Sequence, residues 1–196
     1  MSRALVAAML LALAPLAAAQ SRDDSRIDGN AAADMSGVAS VNVAAGVGNA
    51  QANLRAIAIG DASLARAFGA QAVDTSGADL TRAATVTISG GALDNSNGLV
   101  GVNQVAGAGN AQANLIAIGS GASAGFVQQV DESALAATAA PASTDTSTSA
   151  PVGMREAHID AGAIAAPSGV LQINQTAGVG NASANVIVLQ LPGGTP

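Results

Sequence analysis

The sequence predicts an all-β chain, a repeat-based β-solenoid or cross-β stack of three imperfect repeats joined by partly disordered linkers. Three observations predict it. The stretch GLVGVNQVAGAGNAQANLIAIG, residues 98–119, has two near copies that start at Gly37 and Gly169. Each copy holds a G-x-G-N run between two aliphatic segments, which is reversal chemistry because Gly and Asn both tolerate positive φ. The apolar 49% of the chain is mostly Ala, Val, Ile and Leu, with Phe68 and Phe126 the only aromatic side chains. Such residues suit thin, closely stacked layers better than a thick core of large side chains.

Taken in order, Met1–Ala19 reads as a secretory signal peptide. Arg3 gives a positive start, Ala4 to Leu13 an apolar run, and Ala17-Ala18-Ala19 a small-residue cleavage site. The run is too short for a membrane span, and no second run approaches the ~18 apolar residues a spanning helix needs. Residues 20–26 are polar and expected to fray.

The first repeat covers 27–60 and opens at Ile27, the second covers 85–119, and the third covers 157–190 and opens at Ile159. In each, an isoleucine (Ile27, Ile88, Ile159) stands ten residues before the glycine of the main block (Gly37, Gly98, Gly169). The unit is therefore about thirty residues long. Apolar residues alternate around Gly101 and Asn103 from Val100 to Val105, and Leu115, Ile116 and Ile118 follow the reversal. Each unit reads as two or three short strands, the extra one marked by the isoleucine (Ala84–Ser89 in the second unit). The first linker, 61–84, carries Leu64 and Phe68 at i,i+4 spacing and suits a weak helix. The second, 120–156, has Phe126 and Val130 at the same spacing, then ALAATAAPASTDTSTSAP, a low-complexity run that reads as disordered. The tail, 191–196, is expected to be loose.

The three copies share the frame G-x-x-x-[VI]-N-x-x-A-G-x-G-N-A-x-A-N. Its asparagines are Asn42, Asn103 and Asn174; Asn49, Asn110 and Asn181; and Asn53, Asn114 and Asn185. Its turn glycines are Gly46 and Gly48, Gly107 and Gly109, and Gly178 and Gly180. If such units stack, like residues sit above like at ~4.7–4.8 Å. A buried aspartate or lysine would repel its own copy. An asparagine amide donates to one copy and accepts from the other, so three asparagine ladders satisfy groups otherwise costly to bury. Residue spacing alone leaves open whether the stacking is within one chain or between chains.

At these residues the chain resembles the Fap functional-amyloid subunits of biofilm-forming Gram-negative bacteria, whose repeats carry runs such as G-V-N-x-A-A-G-x-x-N-x-Q-A-N. The matching stretches are GVASVNVAAGVGNAQAN, GLVGVNQVAGAGNAQAN and GVLQINQTAGVGNASAN. The plan matches too: a signal peptide, then three repeats separated by two unlike linkers. The resemblance implies export through an outer-membrane pore, self-association with related fibril subunits, and an extracellular, cell-surface role in biofilm matrix. Carried over by position, it implies stacking roles for the nine asparagines with Gln51 and Gln112; Ser183 interrupts that glutamine column in the third copy. Subunits of the family often carry a cysteine pair near the C-terminus, and this chain has no cysteine. A major, minor or nucleating role stays open.

Other functions find little in the residues. The formal charge is -6, there is no lysine, and seven scattered arginines make no basic patch for nucleic acid. The only histidine, His158, lies between Glu156 and Asp160 on an alternating pattern that reads as a solvated strand start rather than a metal site. Asp23/Asp24 and Asp131/Glu132 are isolated acidic pairs. The G-x-G runs lack the third glycine of a nucleotide fingerprint, and the turns lack the aspartates of calcium-binding repeats. Neither an enzyme nor a cofactor is expected. The rival readings are a monomeric β-solenoid adhesin and, more remotely, an ice-binding or surface-coat protein; regular threonine arrays would favour ice, and none occur.

Overall fold

The computed structural model describes residues 21–60, 65–121 and 152–192. The expected signal peptide, Leu64, Phe126, Val130 and the low-complexity run lie outside the described residues. Among those described, the chain is all-β, and each repeat supplies three strands. The first supplies β1 (Arg22–Ile27), β2 (Ser36–Ala45) and β3 (Ala50–Ile59). The second supplies β4 (Ala83–Ile88), β5 (Asn97–Ala108) and β6 (Ala111–Gly121). The third supplies β7 (Arg155–Ile159), β8 (Ser168–Val179) and β9 (Ala182–Pro192).

These nine strands form three parallel sheets in the orders β1-β4-β7, β2-β5-β8 and β3-β6-β9. The register pairs equivalent residues: Ile27 with Ile88 and Ile159, Asn42 with Asn103 and Asn174, Asn53 with Asn114 and Asn185. Pairing continues through the turn between the first two strands of each repeat. Ala32 N donates to Ala92 O (2.9 Å) and Leu93 N to Ala163 O (2.9 Å), so the turn backbone is satisfied by its own copies. Equivalent strands therefore pair in parallel within one chain, those of the middle segment lying between the others.

Side-chain alternation splits the burial into layers. Ile88 of β4 packs with Val100 and Val102 of β5, with Leu93 and Ala163 closing that end, while Ala84 and Val86 of β4 pack with Ala106 of β5. The other face of β5 meets β6 across amides. The far face of β6 presents Ala111, Ala113, Leu115 and Ala117, which are covered by Ala65, Ala67 and Val73 of the first linker.

Four expectations change. Residues 20–26, expected to fray, hold β1 from Arg22, because Asp23, Ser25 and Ile27 face inward and pair with the second repeat. The isoleucines expected to open the repeats stand last in β1, β4 and β7, so these strands begin ahead of the expected repeat bounds. The strands on either side of the reversal are ten to twelve residues long, not short. The described part of the first linker is not helical: Ala65 and Ala67 bury on alternate positions against β6, while Phe68 points out, 70% exposed.

Candidate functional site

The layer between the second and third sheets is built from amides. Asn103 Nδ2 donates to Asn42 Oδ1 (3.1 Å) and to Ala52 O (2.8 Å). One repeat on, Asn174 Nδ2 donates to Asn103 Oδ1 (3.0 Å) and Ala113 O (2.8 Å). Across the layer, Asn114 Nδ2 donates to Asn53 Oδ1 (2.9 Å), and Asn185 Nδ2 to Asn114 Oδ1 (3.0 Å). The two columns are cross-linked in every repeat, by Asn53 to Asn42 (2.7 Å), Asn114 to Asn103 (3.0 Å) and Asn185 to Asn174 (3.0 Å). An unpaired amide here would cost about 1–3 kcal/mol, so neutral side chains that both donate and accept are what this layer requires.

The reversal carries the third column. Asn110 Nδ2 donates to Asn49 Oδ1 (2.9 Å) and Gly178 O (2.9 Å), and Asn181 Nδ2 donates to Asn110 Oδ1 (2.8 Å). Gly107 and Gly109 have φ of 113° and 60°, as the turn demands. The Gly46–Gly107–Gly178 column has a second constraint. A Cβ on Gly107 would lie 1.9 Å from Gly178 O, and one on Gly46 would lie 2.0 Å from Gly107 O. Gly48 and Gly180, with φ of 67° and 69°, complete the reversals of the outer repeats.

Gln51 Nε2 donates to Gln112 Oε1 (3.0 Å), but Gln112 then donates to Thr176 Oγ1 (3.0 Å), while Ser183 Oγ donates to Asn174 Oδ1 (2.8 Å). Where the third repeat lacks the glutamine, two hydroxyls take the available hydrogen bonds.

Several participants escaped the shared frame. Gln104 Nε2 donates to Ser25 O and Thr87 O (both 2.9 Å), and Gln175 Nε2 donates to Gln104 Oε1 (3.2 Å), stitching the first sheet to the second. Val43 stands there in the first repeat, so a three-copy alignment hides the pair. Arg55, where the other repeats have Ile116 and Ile187, reaches across to Ser40 Oγ and Ala39 O; burial lowers its pKa. Asp23 is paired with Arg82, whose pKa is raised chiefly by that hydrogen bond. The only sequence signal for Arg55 was a charge in an apolar context, and Asp23, in the polar run SRDDSR, gave none.

All three asparagine columns are polarised alike, each amide donating to the preceding repeat. The polarity leaves two unlike ends. Asn42 Nδ2 has no partner among the described residues, whereas Asn181 and Asn185 have accepting oxygens with none. His158 Nε2 lies 2.8 Å from Asp160 Oδ1 at an exposed position. No group of three or more His, Cys, Asp or Glu among the described residues is arranged to hold a metal ion.

A model of the functional amyloid protein FapB/FapC family matches residues 10–192. The chain belongs to this family. FapB/FapC proteins are structural amyloid proteins rather than enzymes, and the family's description points to self-association. No solved structure matches this FapB/FapC chain.

Proposed function

We propose that this chain is a secreted structural subunit of an extracellular functional amyloid fibril supporting biofilm formation, as a major, minor or nucleating component. In this reading the repeats are the rungs of a three-rung β-solenoid, and the rungs continue from one copy to the next. One observation carries it: among the described residues nothing caps the edge strands at either end of the stack. The edge strands β2, β3, β8 and β9 are ten to twelve residues long and contain no lysine. Sheets that must stay monomeric blunt such edges with lysine, proline, bulges or a covering segment. The Asn181 and Asn185 oxygens are open at the third rung among the described residues. In the same columns of the first rung the Asn49 amide donates to Ala45 O and Gly107 O and the Asn53 amide to Val41 O and Asn42 Oδ1, bonds that a second copy would share or replace. The columns of Asn42, Asn49 and Asn53 and their equivalents would then run the length of a fibril, with the turn glycines Gly46, Gly107 and Gly178 allowing the close approach. The outer-membrane pore is the export partner that the resemblance implies.

The rival, a monomeric β-solenoid adhesin or surface-coat protein, requires polar capping units at both ends. The first and third repeats carry the same apolar and amide faces as the middle one, which disfavours it. Incubation of the purified mature chain with fibre diffraction tests the choice. Fibrils with a ~4.7–4.8 Å meridional spacing are expected. A chain that stays monomeric for days at high concentration, even when seeded, would sink the proposal.

A further inference from the structure

Copies stacked in this way have one joint per molecule, where the third repeat of one meets the first repeat of the next. In the first sheet Asp23 pairs with Ala84, and Ala84 with Arg155. The three form one column, with an acid at one open end, a base at the other and a neutral residue between. We infer that the joint is heterologous, third repeat to first repeat of a second copy, with Arg155 of one molecule paired to Asp23 of the next. The inference rests on the fibril reading above and adds the polarity, the register and the residues that select them.

The surroundings support the pairing. The Asp23 side chain is 8% exposed and takes two hydrogen bonds from Arg82. A carboxylate offers about four lone-pair sites, so it can accept a second guanidinium. Arg155 is exposed and has no acidic partner among the described residues. Both side chains lie over the same turn column: a Cβ on Gly46 would be 3.1 Å from Asp23 Oδ2, and one on Gly178 would be 3.2 Å from Arg155 Cδ. Between them runs a cleft of about 330 Å³ lined by Asp23, Asp79, Arg82, Ala84 and Arg155. Within one chain Asp23 and Arg155 are two strand spacings apart, ~9.6 Å; across the joint they are one spacing apart, ~4.8 Å. The joint then holds two guanidiniums and two carboxylates, a balanced set. A first-repeat to first-repeat joint would instead bring Asp23 towards its own copy, and a buried like-charge contact is costly.

On the solvent face the same register sets Glu156 beside Asp24 and Asp160 beside Asp28. Those groups are exposed and are separated from the cleft by the strand itself. Salt screens them over a Debye length of ~8–10 Å, and exposed pairs are worth little. The sheltered Asp23 outweighs them.

Two experiments on the mature chain test the joint. In elongation from wild-type seeds, Arg155→Asp is expected to slow growth by about tenfold or more, the factor that corresponds to ~1.4 kcal/mol. Arg155→Lys should stay within about threefold, and neither should alter the free chain's circular dichroism, since Arg155 has no acidic partner among the described residues. Wild-type rates for Arg155→Asp would overturn the pairing and leave the fibril standing. Failure of wild type itself to elongate would remove both. The second experiment places cysteines at Asp24 and Glu156, which share a column with Thr85 between them. A disulfide needs Cα atoms within about 7 Å, so the two cannot close within one chain but can close across the joint. Oxidised fibrils should give a ladder of covalent multimers on a non-reducing gel. Fibrils that yield only monomer would overturn the register.

Discussion

In the middle repeat Asn103, Gln104, Asn110 and Gln112 are wholly buried, whereas Asn42 and Asn181, in the same columns of the outer repeats, are exposed. The side chains match and the local conformations match; only the number of stacked neighbours differs. For these side chains burial follows position in the stack rather than residue type, while Asn174 of the third repeat is buried as well. The middle repeat is what any repeat becomes once both its faces are covered, and the outer repeats show the same surface with one face open.

That comparison can be broken most forcefully at the amides. Asn114→Asp puts a carboxylate where Asn114 Nδ2 now reaches Asn53 Oδ1, Val102 O and Asn103 Oδ1. An uncompensated buried charge costs about 3–5 kcal/mol, and urea unfolding of the free chain should register a loss of that size. The equivalent Asn53→Asp should cost about 1 kcal/mol or less, since its open side lets water reach the charge. Equal losses at the two positions would mean that the ends are not open in solution.

A similar contrast holds at the glycine column, with a smaller effect. Gly107→Ala drives a Cβ onto Gly178 O and should cost about 2–3 kcal/mol in the same assay. Gly178→Ala meets nothing closer than the Asn181 amide at 3.1 Å and keeps only the penalty of positive φ, about 1–2 kcal/mol.

Acidification probes the first repeat. Asp28 has its pKa lowered by the Ser89 hydroxyl first, then by the Gly29 N–H and Arg26. A carboxyl depressed in the folded state stabilises above its unfolded value, about 3.9, and that stabilisation is lost as pH falls through the lower folded value. Asp74 and Asp79 act in the same direction through Ser76 and Thr81. The urea midpoint should fall between pH 5 and pH 3, and Asp28→Asn should shrink the fall. The smallest effect is a gain. Asp34, Asn95 and Ala166 occupy one left-handed column at φ of 56°, 54° and 49°. Aspartate and asparagine tolerate that conformation and alanine does not, so Ala166→Gly should stabilise by about 0.5–1 kcal/mol in thermal melts.

The sequence displayed the reversal, the columns of like residues and the extra strand near Ile88 because each is repeated, and repetition exposes period. It concealed what occurs only once. Asp23 and Ser25 looked like part of a polar, fraying segment because the partner that makes burial tolerable, Arg82, lies 59 residues away. Leu64 and Phe68 suggested a helix by spacing, but Ala65, Ala67 and Val73 serve as the cover over β6, a role set by tertiary contact alone. Gln104 and Gln175 were lost because the first repeat has valine in their column. Whether the units stack within one molecule could not be read from the period at all, since intramolecular and intermolecular stacking demand the same residues.

Successive repeats stand 61 and then 71 residues apart, yet they pair in one register, so connection length is absorbed wholly outside the strands. This makes the chain a ruler. In the proposed fibril every molecule occupies three strand spacings, about 14 Å, whatever its connections contain. Mass per unit length is then fixed by the chain's mass alone, and a weighed filament reports how many protofilaments it holds. A group attached in the longer connection would recur along the fibril at that same interval, neither denser nor sparser than the chain itself.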